Sequence, residues 1–234
     1  MGATYSYSEI SKTIDHSLLN PALIAVEMDA GCRIARQYDV ASVCILPCYV
    51  ARCAELLSGS EVQPSTTIGF PHGGHTTSVK LAEVEQALRD GATELDAVIN
   101  ISKARSGEWD YVRREIEVLT AATHAGGAKI KVIFENAYLD DPAKLRLCEI
   151  CGEAGADWVK TSTGFAPSGA TVADITLMRQ HSPARVQVKA AGGVRTLDAL
   201  LAMRAAGATR VGASATVQIL EDCRRRLGLE ALGT

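Results

Sequence analysis

The chain has 234 residues, 47% of them hydrophobic, and a formal net charge of -3. That size and apolar content fit a well-cored protein and are compatible with one barrel-type domain. The mild acidity, with no basic stripe beyond Arg224-Arg225-Arg226, argues against nucleic acid as a partner, and no run approaches the roughly 20 apolar residues that cross a bilayer.

The first residues, Met1-Gly2-Ala3-Thr4-Tyr5-Ser6, lack a basic region followed by an apolar one, so no targeting signal is read there. Met1-Gly2 with Ser6 fits a myristoylation pattern loosely. Nothing nearby supplies a second anchor, and the match is read as chance. From there the chain alternates apolar β-type runs with helical patterns. Strands are predicted at 13–15, 41–46, 66–70, 94–100, 130–135, 157–161, 186–189 and 210–213. Most are nearly continuous in Val, Ile, Leu and Cys, as strands of a parallel sheet covered on both faces must be. Amphipathic helices are predicted over 77–89, 108–124, 142–153 and 196–206. Pro142 suits a first helical turn, with Asp140 or Asp141 as the cap. The Arg triplet reads as a cap on the negative end of a last helix.

No Pro/Gly/Ser-rich linker interrupts the chain, so 1–234 is read as one domain. About eight strand–helix units in this length predict an α/β fold, the (β/α)8 TIM barrel. An open doubly wound sheet is the alternative, but no GxGxxG follows an early strand to support a dinucleotide-binding form. A weak repeat favours the barrel. Gly91-Ala92-Thr93-Glu94-Leu95-Asp96, Gly155-Ala156-Asp157-Trp158-Val159-Lys160 and Gly207-Ala208-Thr209-Arg210-Val211-Gly212 each read as a helix end, a short link and a strand. Aligning the glycines puts Asp96, Lys160 and Gly212 at one strand position, expected at the carboxyl rim where barrel enzymes collect catalytic groups.

Seven cysteines, an odd number, without a signal peptide read as reduced thiols in a cytoplasm. Cys148 and Cys151 have CxxC spacing but sit in a helical pattern with no second pair, so packing is the reading. His72 and His75 find no third ligand at a convincing spacing, and no metal is expected.

Lys160 and Lys189 end apolar strands and precede turns of small residues. On neighbouring strands, about 4.8 Å apart, their ammonium groups would repel. One should then titrate well below the usual value of about 10.4. A neutral amine forms an imine with a carbonyl, and the protonated imine stabilises a carbanion at the next carbon. No cofactor is needed. Asp96 would relay protons. Sequence and electrostatics leave open which lysine is the nucleophile. The turns Gly192-Gly193-Val194-Arg195-Thr196 and Gly212-Ala213-Ser214 each open a helix, and glycine-rich turns there offer N–H groups to phosphate.

These segments, with Val159-Lys160-Thr161-Ser162-Thr163-Gly164-Phe165, Ile14-Asp15-His16-Ser17-Leu18-Leu19, Val43-Cys44-Ile45, Ile68-Gly69-Phe70-Pro71 and Val132-Ile133-Phe134-Glu135, resemble the deoxyribose-phosphate aldolase family, class I aldolases, in order and over nearly the whole chain. The resemblance implies cleavage of 2-deoxy-D-ribose 5-phosphate to D-glyceraldehyde 3-phosphate and acetaldehyde, in deoxynucleoside breakdown. It implies Lys160 as the Schiff-base lysine, Lys189 as the lysine that lowers its pKa, and Asp96 as the proton donor and acceptor, acting through a water. It implies that Gly164, Gly193, Arg195 and Ser214 surround the substrate phosphate, to which the turn reading adds Gly192 and Gly212, with Asp15, Thr161 and Cys44 expected near the site and Cys44 as a wall residue. A homo-oligomer, dimer or tetramer, is implied. Some family members end in a tyrosine that assists proton transfer; here the sequence ends Leu232-Gly233-Thr234. The segment Phe165-Ala166-Pro167-Ser168-Gly169 also departs from the family's glycine-rich form.

Overall fold

The computed structural model describes residues 5–233, so the Met1-Gly2 pattern lies outside the described residues. All eight predicted strands form: β1 (Ile14–Leu18), β2 (Ser42–Ile45), β3 (Gln63–Ile68), β4 (Glu94–Val98), β5 (Lys129–Ile133), β6 (Trp158–Lys160), β7 (Gln187–Ala191) and β8 (Arg210–Ala213). Each pairs in parallel with its chain neighbours, and β8 closes on β1 through Asp15 opposite Gly212. The sheet is therefore a closed (β/α)8 barrel, not an open doubly wound sheet.

Strand ends shift by up to three residues, and the two largest shifts fall in polar stretches that read as loop. β1 runs on through His16, Ser17 and Leu18. β3 starts at Gln63-Pro64-Ser65, where Pro64 has no N–H to give but its carbonyl accepts from Thr93 N at 2.9 Å.

The helices are α1 (Tyr7–Ser11), α2 (Ala25–Gln37), α3 (Val50–Leu57), α4 (Thr77–Arg89), α5 (Ile101–Arg105), α6 (Trp109–Ala125), α7 (Asp141–Ala154), α8 (Val172–His181), α9 (Leu197–Ala205) and α10 (Thr216–Arg226). Asp140 caps α7 by accepting the Ala143 N–H at 3.0 Å, with Pro142 in the first turn. The three repeated joints share a backbone: Gly91, Gly155 and Gly207 all take positive φ, at 94°, 76° and 112°. That conformation ends a helix and turns the chain into the next strand. The Arg triplet does form the last turn of α10. Its members are spent locally, Arg226 on Asp198 and Asp222 and Arg224 on the Tyr7 ring, and so offer no basic stripe.

Alternation along the strands divides the molecule into two interiors. Ile14, Val43, Leu95, Ile130, Val159, Val188 and Val211 are fully buried and belong to the apolar cluster beneath the helices. Each such burial contributes roughly 1.5–3 kcal/mol. Cys148 and Cys151 belong to the same apolar layer, where burial raises both thiols and Cys148 is pushed up to about 11. The intervening strand residues face the barrel axis, and Asp15, Glu94, Asp96, Lys131, Lys160, Lys189 and Arg210 among them are charged.

Candidate active site

The barrel axis holds ionisable groups where (β/α)8 interiors are usually filled by branched apolar side chains. Lys160 and Lys189 are register partners on β6 and β7. Their two Nζ atoms donate to one oxygen, Asp96 Oδ2, at 2.7 and 2.6 Å. Lys189 also lies 2.5 Å from Asp15 Oδ2. Lys131, on β5 opposite Asp96, donates to Asp96 Oδ1 at 2.9 Å and pairs with Glu94 Oε2 at 2.6 Å. Arg210 joins the far side, 2.5 Å from Asp15 Oδ1 and 2.8 Å from Glu94 Oε1. Beneath them the Trp158 ring presents its face to Lys131 and Arg210, with centroid distances of 5.7 and 5.2 Å.

This asymmetry separates the two lysines in a way that spacing on the strands does not. Burial pulls both ammonium groups down. For Lys189 the Asp15 and Asp96 carboxylates outweigh burial and hold its pKa above the ordinary lysine value. Lys160 has only a share of Asp96. Burial wins there, reinforced by the nearby Lys189 charge, and its pKa falls below the ordinary value. The larger cause is thus desolvation, with lysine–lysine repulsion second. The carboxylates stay ionised: burial would raise Asp96 and Asp15, but the surrounding cations overcome it and hold both well below the usual carboxylate range.

Above the lysines opens a cavity of about 520 Å³. Asp15, Cys44, Lys160, Gly164, Lys189, Gly192, Gly193, Arg195, Gly212 and Ser214 all line it, and Asp96 lies beneath, fully buried. At its mouth Gly192 and Gly193 take φ of 84° and 81°, and Gly164 takes 90°. These values leave N–H groups free to turn toward an anion. Thr196 caps α9 by accepting the Ala199 N–H at 3.2 Å, and α10 begins just after Ser214, so two helix N-termini rise from this rim. Gly169 meets Gly192 closely enough that a Cβ there would fall 2.2 Å from the Gly192 carbonyl oxygen. The variant loop therefore keeps a glycine at its contact with the Gly192-Gly193 turn. Cys44 is a wall residue whose thiol is raised by burial and by Asp96. A neighbouring cavity of about 590 Å³ beyond Thr163 and Phe165 contains neither lysine.

Two expectations change. Thr161 does not face the cavity: its hydroxyl is 3.2 Å from the Ala191 carbonyl and 3.1 Å from the Ala191 N–H, clasping β6 to β7. Asp96 is not at the rim but is the third of five residues in β4. Its ladder partner leads through Lys131 to Trp158, two residues before Lys160. Strands tilt and stagger in a closed barrel, so equal distance from a glycine is not equal height, and the lysines' long stems close the difference. Residues 227–233 follow α10 at the end opposite Ser214, about 16 Å along the helix. There Arg224 holds the Glu230 carbonyl at 2.7 Å and Gln37 holds the Gly233 carbonyl at 2.8 Å. Among the described residues no three His, Cys, Asp or Glu side chains are grouped to hold a metal, and His72 and His75 are no exception.

The sequence reading missed Lys131, Glu94, Arg210 and Glu135. The first three carried the signal that singled out Lys160: a charged residue in a strand buried on both faces. Each sits on the parity of a residue already noticed, Glu94 two before Asp96 and Arg210 two before Gly212. Glu135 has no such signature. It takes a left-handed φ of 59°, unusual without glycine, and its buried carboxylate accepts from Thr163 N at 3.2 Å and from the Thr163 hydroxyl. Thr163 Oγ1 in turn accepts the Phe165 N–H at 3.0 Å, which fixes the loop around Gly164.

Comparison with known proteins gives one answer at family level. A family model described as DeoC/LacD family aldolase matches residues 10–221. A deoxyribose-phosphate aldolase of Rhodopirellula baltica is 60% identical over 230 residues, covering 98% of this chain and 95% of that protein. Another, from Caldanaerobacter subterraneus subsp. tengcongensis, is 48% identical over 222 residues, covering 94% and 96%. Among solved structures, QR15, an aldolase, superposes with a TM-score of 0.89 at 38% identity, covering 94% of this chain and 99% of its own. The tetrameric deoxyribose phosphate aldolase from Aeropyrum pernix gives 0.87 at 31% identity, covering 94% and 92%. No helix among the described residues is long and apolar enough to cross a membrane.

Proposed function

The chain belongs to the DeoC/LacD family of aldolases, and from that premise we propose that Lys160 is its Schiff-base nucleophile, with Lys189 and Asp96 as the proton-handling pair. The activity is that of a deoxyribose-phosphate aldolase, the reversible cleavage of 2-deoxy-D-ribose 5-phosphate to D-glyceraldehyde 3-phosphate and acetaldehyde. The observation that carries the assignment of Lys160 is its place in the ion-pair network. Of the four bases on the barrel axis, Lys160 is the one whose charge the carboxylates do not compensate.

The neutral Lys160 amine attacks C1 of the open-chain aldehyde. The carbinolamine loses water, its hydroxyl taking a proton delivered by way of Lys189 and Asp96, and an iminium ion remains. Removal of the C3 hydroxyl proton breaks the C2–C3 bond. Glyceraldehyde 3-phosphate leaves, and the bonding pair is held as an enamine on Lys160. A proton returns to C2, and water hydrolyses the resulting iminium to acetaldehyde and free amine. Asp96 is held strongly ionised, so its part is to pass a proton between the two lysines and a bound water, not to store one. Arg195, Ser214 and the turns at Gly164, Gly192, Gly193 and Gly212 take the phosphate, which sets C1 over Lys160. The iminium formed on Lys160 is itself the electron sink, so the step calls for no cofactor or metal.

Borohydride reduction in the presence of acetaldehyde, followed by digestion and mass spectrometry, tests the assignment. An adduct on Lys160 is expected; one on Lys189, or activity lost to chelators with no adduct, overturns it. We read residues 1–234 as one cytoplasmic catalytic domain that forms a homodimer or homotetramer, supported by the tetrameric relative. Light scattering tests the assembly.

A further inference from the structure

The network at the barrel axis contains three carboxylates, Asp15, Glu94 and Asp96, and four bases, Lys131, Lys160, Lys189 and Arg210. With every base charged the interior carries one positive charge too many. With one base neutral it balances. The remaining strands add no charge: β2 brings the protonated Cys44, and β3 brings the Ser65 and Thr67 hydroxyls in register with Glu94 and Asp96; Lys129, over the Trp158 ring at the start of β5, is exposed and screened by solvent. Which base gives up its proton follows from contact. Lys189 touches two carboxylates, Arg210 touches two, and Lys131 touches Asp96 and Glu94 with Asp15 at 3.7 Å. Lys160 touches only the Asp96 oxygen it shares with Lys189.

We propose that Lys131 is a positioning residue for the reaction: its ammonium occupies Asp96 Oδ1, turns Oδ2 to the two lysines above, and supplies the third cation that leaves Lys160 uncharged. This rests on the reading of Lys160 as the nucleophile. Lys131 lies wholly buried beneath Asp96, and the cavity above does not reach it, so it acts on substrate only through Asp96 and through the charge balance. Remove Lys131 and the three carboxylates face two cations. Lys160 then becomes the third by keeping its proton, and loses its nucleophilic pair at neutral pH. Remove one carboxylate instead, Glu94, and the excess positive charge drives Lys160 further toward the neutral form. Glu94 touches Lys131 and Arg210 but not Lys160, so this second effect passes through the network alone.

The test is the pH dependence of borohydride trapping of acetaldehyde on Lys160 in the whole protein, in three variants: Lys131→Met, Glu94→Gln and the double variant. The midpoint of trapping is expected to rise by about one pH unit or more in Lys131→Met, the scale set by charges under about 8 Å apart at an effective dielectric of about 20. It should fall in Glu94→Gln and return near its original position in the double variant. A purely structural role would lower yield without moving the midpoint and would not be rescued by losing a second charge. An unmoved midpoint in Lys131→Met, or single variants that move the same way, overturns the proposal. If Lys131→Met does not fold, the Glu94→Gln midpoint decides: a fall supports the proposal, and no fall overturns it. Absence of any adduct on Lys160 in the unaltered protein would sink the nucleophile assignment instead, so the two failures are distinguishable.

Discussion

Lys189→Leu is the substitution whose consequence can be worked furthest. The Lys160 and Lys189 nitrogens both contact Asp96 Oδ2, at 2.7 and 2.6 Å, so they lie no more than about 5.3 Å apart. At an effective dielectric of about 20, two unit charges at that distance repel by about 3 kcal/mol, or roughly two pKa units. Removing Lys189 lifts that repulsion and also frees Asp96 Oδ2 to pair with Lys160 alone. Both changes favour the protonated Lys160. The rate needs the neutral amine, so it climbs as pH rises through the Lys160 pKa; raising that pKa moves the climb to higher pH. The assay is single-turnover iminium formation against pH, read by borohydride trapping. The midpoint should move up by about one to two units, with solvent screening taking the lower figure. The plateau should also fall, since the relay has lost a member. Midpoint and plateau report separate roles, and a lowered plateau on an unmoved midpoint would refute the electrostatic one.

Lys160→Met should abolish trapping and cut turnover by at least about 10³-fold, yet leave urea-unfolding stability within about 1 kcal/mol, since a buried amine with one carboxylate contact gives way to a side chain of similar volume; a large loss of stability would show that Lys160 is charged in the folded protein. Gly192→Ala puts a Cβ 2.9 Å from Gly169 Cα at a φ of 84°, a strain of about 1–2 kcal/mol. It should raise KM for deoxyribose 5-phosphate while leaving the weak reaction of unphosphorylated deoxyribose nearly unchanged, and an equal loss on both would argue against a phosphate turn. Acid should unfold the barrel through its own axis. Asp15 and Asp96 are held below the unfolded carboxylate value of about 3.9, so their contribution is complete above that value and fades as pH falls below it. Urea midpoints should drop steeply between about pH 4 and pH 2, and less steeply in Asp15→Asn; a flat acid limb would contradict the pairing.

Much of this was legible in the chain because it follows from local rules. Near-continuous Val, Ile and Leu runs separated by amphipathic segments require a parallel sheet covered on both faces, and eight such units in 234 residues close as a barrel. Gly91, Gly155 and Gly207 marked their joints correctly because only a residue tolerant of positive φ can end a helix so abruptly. Lys160, Lys189 and Asp96 stood out because a charge in a doubly buried strand demands a reason, and Glu94, Lys131 and Arg210 obey the same rule. What the sequence could not contain is height along the barrel. The stagger of a closed sheet put Asp96 below the lysines and turned the Thr161 hydroxyl into a strand clasp. The difference between the lysines is likewise tertiary. It depends on β1 closing against β8, which carries Asp15 to Lys189 and not to Lys160, and a contact between residues 174 positions apart is settled only when the barrel shuts.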